Sequence, residues 1–427
     1  MTKFFLLITL FLTATVAMPY YGNRHSGLAP LVSSPGAETI PDQYIVVFKS
    51  SVTAGRITCH HNDVRSMLAE ESRKVKRGFM TELISGINHY YDIGDFQGYS
   101  GKFSYDVLNR IRESDDVAYV ERDQRVYPTV LQRNAPWGLA RIAHRERLGT
   151  GTFSQYVYDS SAGEGVTAYV IDTGVNIDHV EFNGRASWGT TIPNEPDEDE
   201  EGHGTHVAGT IAGETYGVAK KAKIVAVKVL GPNGGTNSDV IKGIEWAVNA
   251  HKRESANGDS SFKGSVANMS LGGRNSAALD ASANAAVDAG VVLSVAAGNE
   301  AVSACTSSPA SAEKAITVAA STIEDARASF SNYGECVDIF APGKDVLSAW
   351  IGSNTATNTI SGTSMATPHI TGLTAYILGL SSSPLTPKQV LDVLLTTATR
   401  DAISDAGPSS PNLLAYNNYN SSNFHFY

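Results

Sequence analysis

The chain has 427 residues, 42% of them hydrophobic, which is enough to bury two cores and too long for one ordinary domain. A formal net charge of −10 removes any electrostatic reason to bind nucleic acid, whose phosphates an acidic surface repels. Beyond the amino terminus no apolar run approaches a bilayer-spanning length, so a soluble monomer without a membrane partner is expected.

Residues 1–17 read as a signal peptide, with Lys3 as the positive start, an apolar run from Phe4 to Leu12, and small residues from Thr15 to Ala17 for cleavage. That places the protein in the secretory pathway, extracellular or vacuolar, where Cys59, Cys305 and Cys336 can form disulfides. Three is an odd count, so at least one stays unpaired or pairs elsewhere. Residues 18–42, rich in Gly, Pro and Ser between Pro19 and Pro41, read as a linker. Next come a strand at Gln43–Lys49, a helix at Asp63–Arg73, a strand at Gly86–Asp92, a helix at Phe103–Ser114 and a strand at Val117–Asp123. Together they suggest a small β-α-β-β-α-β domain over 43–127 with no catalytic spacing. Its basic cluster Lys74–Arg77 reads as a solvated helix end or a processing site. Residues 128–135, flanked by Pro128 and Pro136, form a polar connector suited to cleavage.

The large domain spans 136–427. Apolar strands at Val166–Ile171, Ile224–Leu230, Val266–Ser270, Val291–Ala296 and Ile316–Ala320 alternate with helical patterns such as Asp239–Ala250 and Ala277–Ala289. That alternation predicts an α/β fold, a parallel sheet with helices on both faces and reactive groups at the strands' carboxyl ends. The acidic run Glu195–Glu201 reads as a solvated loop, or as a negative field near a site that would favour cationic substrates.

Three segments carry chemistry. Asp172 ends an apolar strand and precedes Thr173-Gly174, where a carboxylate can face a cleft; alone it reads as an ordinary strand-end aspartate. An aspartic protease would need a second Asp-Thr-Gly or Asp-Ser-Gly, which the chain lacks. His203 stands in Gly202-His203-Gly204-Thr205-His206 at the start of an apolar helix. His203 and His206 could share a helical face as metal ligands, but zinc hydrolases of the familiar kind need four-residue spacing and an intervening Glu. Ser364, in Ser361-Gly362-Thr363-Ser364-Met365-Ala366-Thr367-Pro368-His369, sits on a glycine turn leading into a buried helix, with Pro368 placed in its first turn. A serine there has unpaired backbone N–H groups nearby for negative charge developing on a substrate oxygen, although by itself it could be a simple N-cap.

The order Asp, His, Ser with these three blocks resembles the subtilase family, in its proteinase K branch and close to the fungal vacuolar protease cerevisin, over about Ala135 to Tyr419. The resemblance implies a serine endopeptidase that needs no catalytic cofactor. Ser364 would be the nucleophile, His203 the general base and acid, Asp172 its orienting carboxylate, and Asn299 an oxyanion donor. Ser270, Leu271, Gly272 and Gly273 would run beside the substrate backbone, and with Ala296, Ala297 and Gly298 would wall a roomy apolar pocket for hydrophobic or aromatic side chains. The domain over 43–127 resembles the propeptide inhibitor of the family, making the chain a self-processing zymogen whose partners are protein and peptide substrates and its own propeptide. A disulfide between Cys305 and Cys336 is expected, leaving Cys59 in the leading domain. A structural calcium ion is carried over to Asp338 and the carbonyls of Glu313 and Ala315. Val207 departs from that branch, which has a free cysteine there. Asn268-Met269-Ser270 is a formal glycosylation acceptor in a buried strand, and Asn420 is the more accessible candidate.

Overall fold

A computed structural model describes residues 27–33, 39–75, 86–124 and 129–419. The signal peptide at 1–17, the side chains of Lys74–Arg77 and the acceptor Asn420 lie outside the described residues. The chain divides between Arg125 and Val126 into two compact units. Among the described residues no helix is long and apolar enough to cross a membrane.

The first unit contains β1 (Leu31–Val32), β2 (Thr39–Phe48), α1 (Ala54–Val75), β3 (Gly86–Ile93), β4 (Phe96–Lys102), α2 (Tyr105–Arg112) and β5 (Val117–Gln124). The strands form one sheet in the order β1-β5-β2-β4-β3, antiparallel except for β1 on β5. Every second residue of β2 (Tyr44, Val46, Phe48) enters the core, where it meets Val64 and Leu68 of α1 and Val107, Leu108 and Ile111 of α2. Helix α1 starts nine residues before Asp63, a start that a polar side chain in an inward position conceals in the sequence. His60 is buried there, bonded to the Tyr99 hydroxyl at 2.9 Å and to Ser114 Oγ at 3.1 Å, which hides the apolar period. The β-α-β-β-α-β pattern includes β4 without assigning residues to it. In β4, Gly98 is required by packing, since a Cβ there would come within 2.3 Å of the Val46 carbonyl oxygen. The stretch read as a linker also contributes structure: Leu31 and Val32 pair with Val120 and Glu121, and β2 begins at Thr39.

The second unit contains β6 (Thr129–Arg133), α3 (Trp137–Ile142), β7 (Gln155–Asp159), β8 (Val166–Asp172), β9 (Ala186–Thr191), α4 (His203–Ala212), β10 (Lys223–Lys228), α5 (Asn237–Ala256), β11 (Gly264–Met269), β12 (Gly273–Arg274), α6 (Ala277–Asp288) and β13 (Val292–Ala296). There follow β14 (Ser307–Ser308), β15 (Ile316–Ser321), β16 (Ile339–Pro342), β17 (Val346–Ala349), β18 (Thr357–Ile360), α7 (Thr363–Leu380), α8 (Pro387–Thr397), β19 (Thr399–Arg400) and β20 (Leu413–Leu414). Nine strands form the main sheet in the order β19-β20-β16-β15-β13-β11-β8-β10-β9, parallel throughout except for β19 on β20. Alternate residues of β8 face different cores: Ala168 and Val170 meet α4 and α7, whereas Tyr169 and Ile171 meet α5 and α6. This is the physical content of helices on both faces, and it explains why β8 is buried at every residue. The segment read as a connector, 128–135, is mostly β6, paired antiparallel with β7.

Candidate active site

The site is built along the carboxyl ends of adjacent parallel strands. Asp172 closes β8, Ser270 follows β11 and Asn299 follows β13, and these three strands are neighbours in the sheet. Asp172 is fully buried; its Oδ1 accepts from the Thr173 N–H at 2.8 Å and meets His203 Nδ1 at 2.8 Å. His203 opens α4 directly after Gly202, whose φ of 98° lies in the left-handed region. A Cβ on Gly202 would also stand 2.6 Å from the Trp350 indole, so only glycine makes this turn. Burial disfavours a charged His203, but Asp172, helped by Glu201 and Asp199, outweighs it and raises the imidazole to about 9. Asp172 therefore stabilises the imidazolium that forms when His203 accepts a proton.

His206 is the other histidine of the motif, and its environment differs. It is fully buried, its Nε2 bonds the Val346 carbonyl at 3.0 Å, and burial depresses it to about 4. The bond ties one ring nitrogen to the β17 backbone inside the core, which makes His206 a structural residue. Among the described residues no three His, Cys, Asp or Glu side chains gather as a metal-binding group.

Ser364 is the second residue of α7, and its hydroxyl is turned to the Ser270 carbonyl at 3.2 Å. The Ser270 hydroxyl in turn donates to the Ser364 carbonyl at 2.7 Å. This second bond corrects the reading of Pro368. The helix begins at Thr363, so Pro368 lies beyond its first turn and removes an N–H that the Ser364 carbonyl would have accepted. Ser270 Oγ takes that place. Asn299 is oriented by its oxygen, which accepts from the Thr363 N–H at 2.8 Å and the Thr363 hydroxyl at 3.0 Å. Its Nδ2 and the Ser364 N–H therefore converge: a point one bond off Gly362, where a Cβ would stand, is 3.7 Å from the former and 3.5 Å from the latter.

Beside them opens a cleft of about 370 Å³ lined by Leu271, Gly272, Gly273, Ala296, Gly298, Asn299, Thr363 and Ser364. Ser270 stands behind Ser364 instead of in the wall, and Ala297 is buried with Ala304 and Phe340. Arg274, Glu300, Val302, Thr306 and Ser307 complete the lining, and the sequence reading had none of them. No local signal marks Ser307, which arrives through the pairing of β14 with β12. The exposed Arg274 and Glu300 also make the lining less apolar than expected. Cys305, next to the cleft residue Thr306, forms a disulfide with Cys336 with Cα atoms 5.3 Å apart, and Cys59 is a free, exposed thiol. Val207 is fully buried, and Asn268 has no exposed surface for a glycan.

Residues 163–422 match the subtilase family and residues 43–129 match the peptidase inhibitor I9 family. The chain belongs to the subtilase family. It is 52% identical over 448 residues to the subtilisin-like serine protease Pen c 2 of Penicillium citrinum, covering 99% of this chain and 98% of that protein. It is 51% identical over 425 residues to alkaline protease 2 of Aspergillus fumigatus, covering 94% and 86%. The crystal structure of a cold adapted subtilisin-like serine proteinase superposes with a TM-score of 0.61 at 44% identity, over 67% of this chain and 100% of the other. This subtilase is accordingly a serine protease of the subtilisin-like fold, preceded by an inhibitor domain.

Proposed function

We propose that this subtilase is a secretory-pathway serine endopeptidase, extracellular or vacuolar, made as a self-processing zymogen. Residues 1–17 would be its signal peptide, 18–42 a linker, 43–127 its inhibitor, 128–135 the processing junction and 136–427 the peptidase. The observation that carries the catalytic reading is the 2.8 Å His203–Asp172 contact together with two donors converging beside Gly362 next to the Ser364 hydroxyl. In this mechanism the Ser364 hydroxyl leaves the Ser270 carbonyl, passes its proton to His203 Nε2 and attacks the scissile carbonyl. Asp172 holds Nδ1 and stabilises the imidazolium, which then protonates the leaving amine. Water hydrolyses the acyl-enzyme by the same route in reverse. Asn299 Nδ2 and the Ser364 N–H receive the oxyanion.

The glycines and Ala296 of the cleft give room for large side chains, which supports a broad preference for hydrophobic or aromatic residues before the cut. Its partners are protein and peptide substrates and its own inhibitor domain, and it acts as a monomer. A structural calcium ion would lie at Asp338, which accepts from the Thr317 N–H at 2.8 Å and whose burial raises its carboxyl to about 6. A cation there would offset that burial. Asp338 with the Glu313 and Ala315 carbonyls would supply the oxygen ligands calcium prefers, in a purely structural role.

The test is Ser364→Ala in the full chain. The variant should fold and remain uncut between the two units, because the same nucleophile cleaves the junction; normal self-processing would overturn the reading. Amino-terminal sequencing of the mature wild-type protein locates the cut within 127–136, and fractionation of cells and medium locates the enzyme.

A further inference from the structure

The acidic run Glu195–Glu201 is neither merely solvated nor merely a field. One of its carboxylates, Asp199, is buried, and five donors converge on it. Its Oδ1 accepts from the Thr173 hydroxyl at 2.9 Å, the Gly202 N–H at 2.9 Å and the Glu201 N–H at 3.2 Å. Its Oδ2 accepts from the Thr205 N–H at 3.0 Å and the Thr205 hydroxyl at 2.5 Å. Thr173 directly follows Asp172, and Thr205 lies in the helical turn that His203 opens.

Helix α4 lacks a capping side chain at its own N-cap, Gly202. Its first three N–H groups are instead met from outside: His203 by Glu201 at 2.9 Å, Gly204 by the Thr173 hydroxyl at 2.9 Å and Thr205 by Asp199. Thr205 Oγ1 also accepts from the Asn176 N–H at 2.8 Å, a second tie between the turn after Asp172 and the helix. Two segments, the 199–201 loop and the turn after Asp172, thus fix the rotation of α4 about its axis, and that rotation sets where the His203 imidazole points. The loop itself is anchored from below. Fully buried Lys228, opposite Asp172 in the register of β10 on β8, bonds the Glu198 carbonyl at 2.8 Å and Glu200 at 3.0 Å, and forms an ion pair with Glu195 at 3.2 Å.

We propose that Asp199 is a positioning residue of the catalytic pair: through Thr173 and Thr205 it clamps the strand end bearing Asp172 to the helix start bearing His203. The proposal rests on the assignment of Asp172 and His203 made above. Asp199→Asn keeps the shape but replaces an acceptor by a donor, which cannot satisfy the three N–H groups and two hydroxyls that Asp199 meets. The shift at the imidazole should lower kcat, by on the order of 10²-fold if it reaches 1 Å, with KM little changed. Asp199 also contributes to the raised basicity of His203, so the acid limb of kcat/KM should move to lower pH in the variant.

The measurement is steady-state hydrolysis of a peptide with an aromatic residue before the cut, with active sites counted by fluorophosphonate titration. Asp197→Asn removes the same charge from the same loop, but among the described residues Asp197 bonds only the Thr191 hydroxyl, so its kcat should match wild type. Thr173→Val should lose turnover and Thr173→Ser retain it; this pair decides the question if Asp199→Asn fails to fold. Wild-type kcat and an unmoved acid limb in Asp199→Asn would overturn the clamp. So would an effect confined to KM, or an equal loss in Asp197→Asn. His203→Ala keeps the two readings apart: if it retains turnover the catalytic assignment fails, whereas if it alone abolishes turnover only the clamp fails.

Discussion

Replacing Asn299 by leucine removes one of the two donors that converge beside Gly362 and leaves the other, the Ser364 N–H, in place. The substrate carbonyl moves toward these donors only as it becomes tetrahedral, so the lost amide weakens the transition state more than the bound substrate. Losing one such donor costs about 10²–10³-fold in kcat, or roughly 2.7–4 kcal/mol, a range set by subtilisin itself and carried over within the family. The fold should survive. Asn299 is exposed, and its oxygen holds only the Thr363 N–H and hydroxyl, a contribution of about 1 kcal/mol per bond that water can partly replace. Aspartate is a poorer probe, because its charge would repel the oxyanion as well as remove the donor. Steady-state kinetics on titrated active sites is the assay, and kcat should fall with KM nearly constant. An unchanged kcat would remove Asn299 from the mechanism, and an effect on KM alone would reassign it to substrate binding.

Gly362→Ala probes the same space from the other side. With φ 164° and ψ 163° the backbone accepts alanine, and the new methyl makes only ordinary contacts of 3.5–3.7 Å. The variant should therefore melt like wild type yet lose turnover, because the methyl crowds the oxyanion; full activity would show that the oxyanion lies elsewhere. In the inhibitor domain, burial holds His61 down to about 4, aided by His60 and Arg65, and also lowers His60. Between pH 6.5 and 4 the unfolded domain binds protons that the folded one does not, so its stability is complete above 6.5 and falls on acidification. Hydrogen exchange of the uncut Ser364→Ala chain should show that domain opening faster at pH 4.5 than at pH 7, and less so in His61→Gln; pH-independent protection would refute this. Finally, Cys305 and Cys336 close a loop with a separation of 31 residues. Replacing both by serine should cost up to roughly 3–4 kcal/mol in denaturant unfolding, and an unmoved midpoint would contradict it.

Much of the candidate site was legible because its groups lie in short local blocks. A strand that ends in Asp172, a glycine turn before His203 and another before Ser364 are each written within a few residues, since the chemistry needs a tight turn at a strand or helix end. The order of the blocks then pointed to the family, and alternating apolar segments pointed to a parallel sheet. The two-sided core was visible in the largely apolar β8, whose Ala168–Ile171 run shows no polar alternation because the strand is buried on both faces.

What tertiary structure alone decided are choices among residues that look alike in sequence. Six acidic side chains crowd 195–201, and nothing local separates Asp199 from its neighbours; only the approach of Thr173 and of the start of α4 makes it the buried one. The partner for the carbonyl freed by Pro368 comes from Ser270, 94 residues away, and Ser307 reaches the cleft through a short pairing with Arg274. His60 filled an apolar slot because Tyr99 and Ser114 waited there to bond it. In each case the deciding energy is the pairing of a buried polar group, and its partner is supplied by a distant part of the chain. Periodicity and motif report what a segment does with its own backbone, so they are silent about such pairs until the fold brings them within bonding distance.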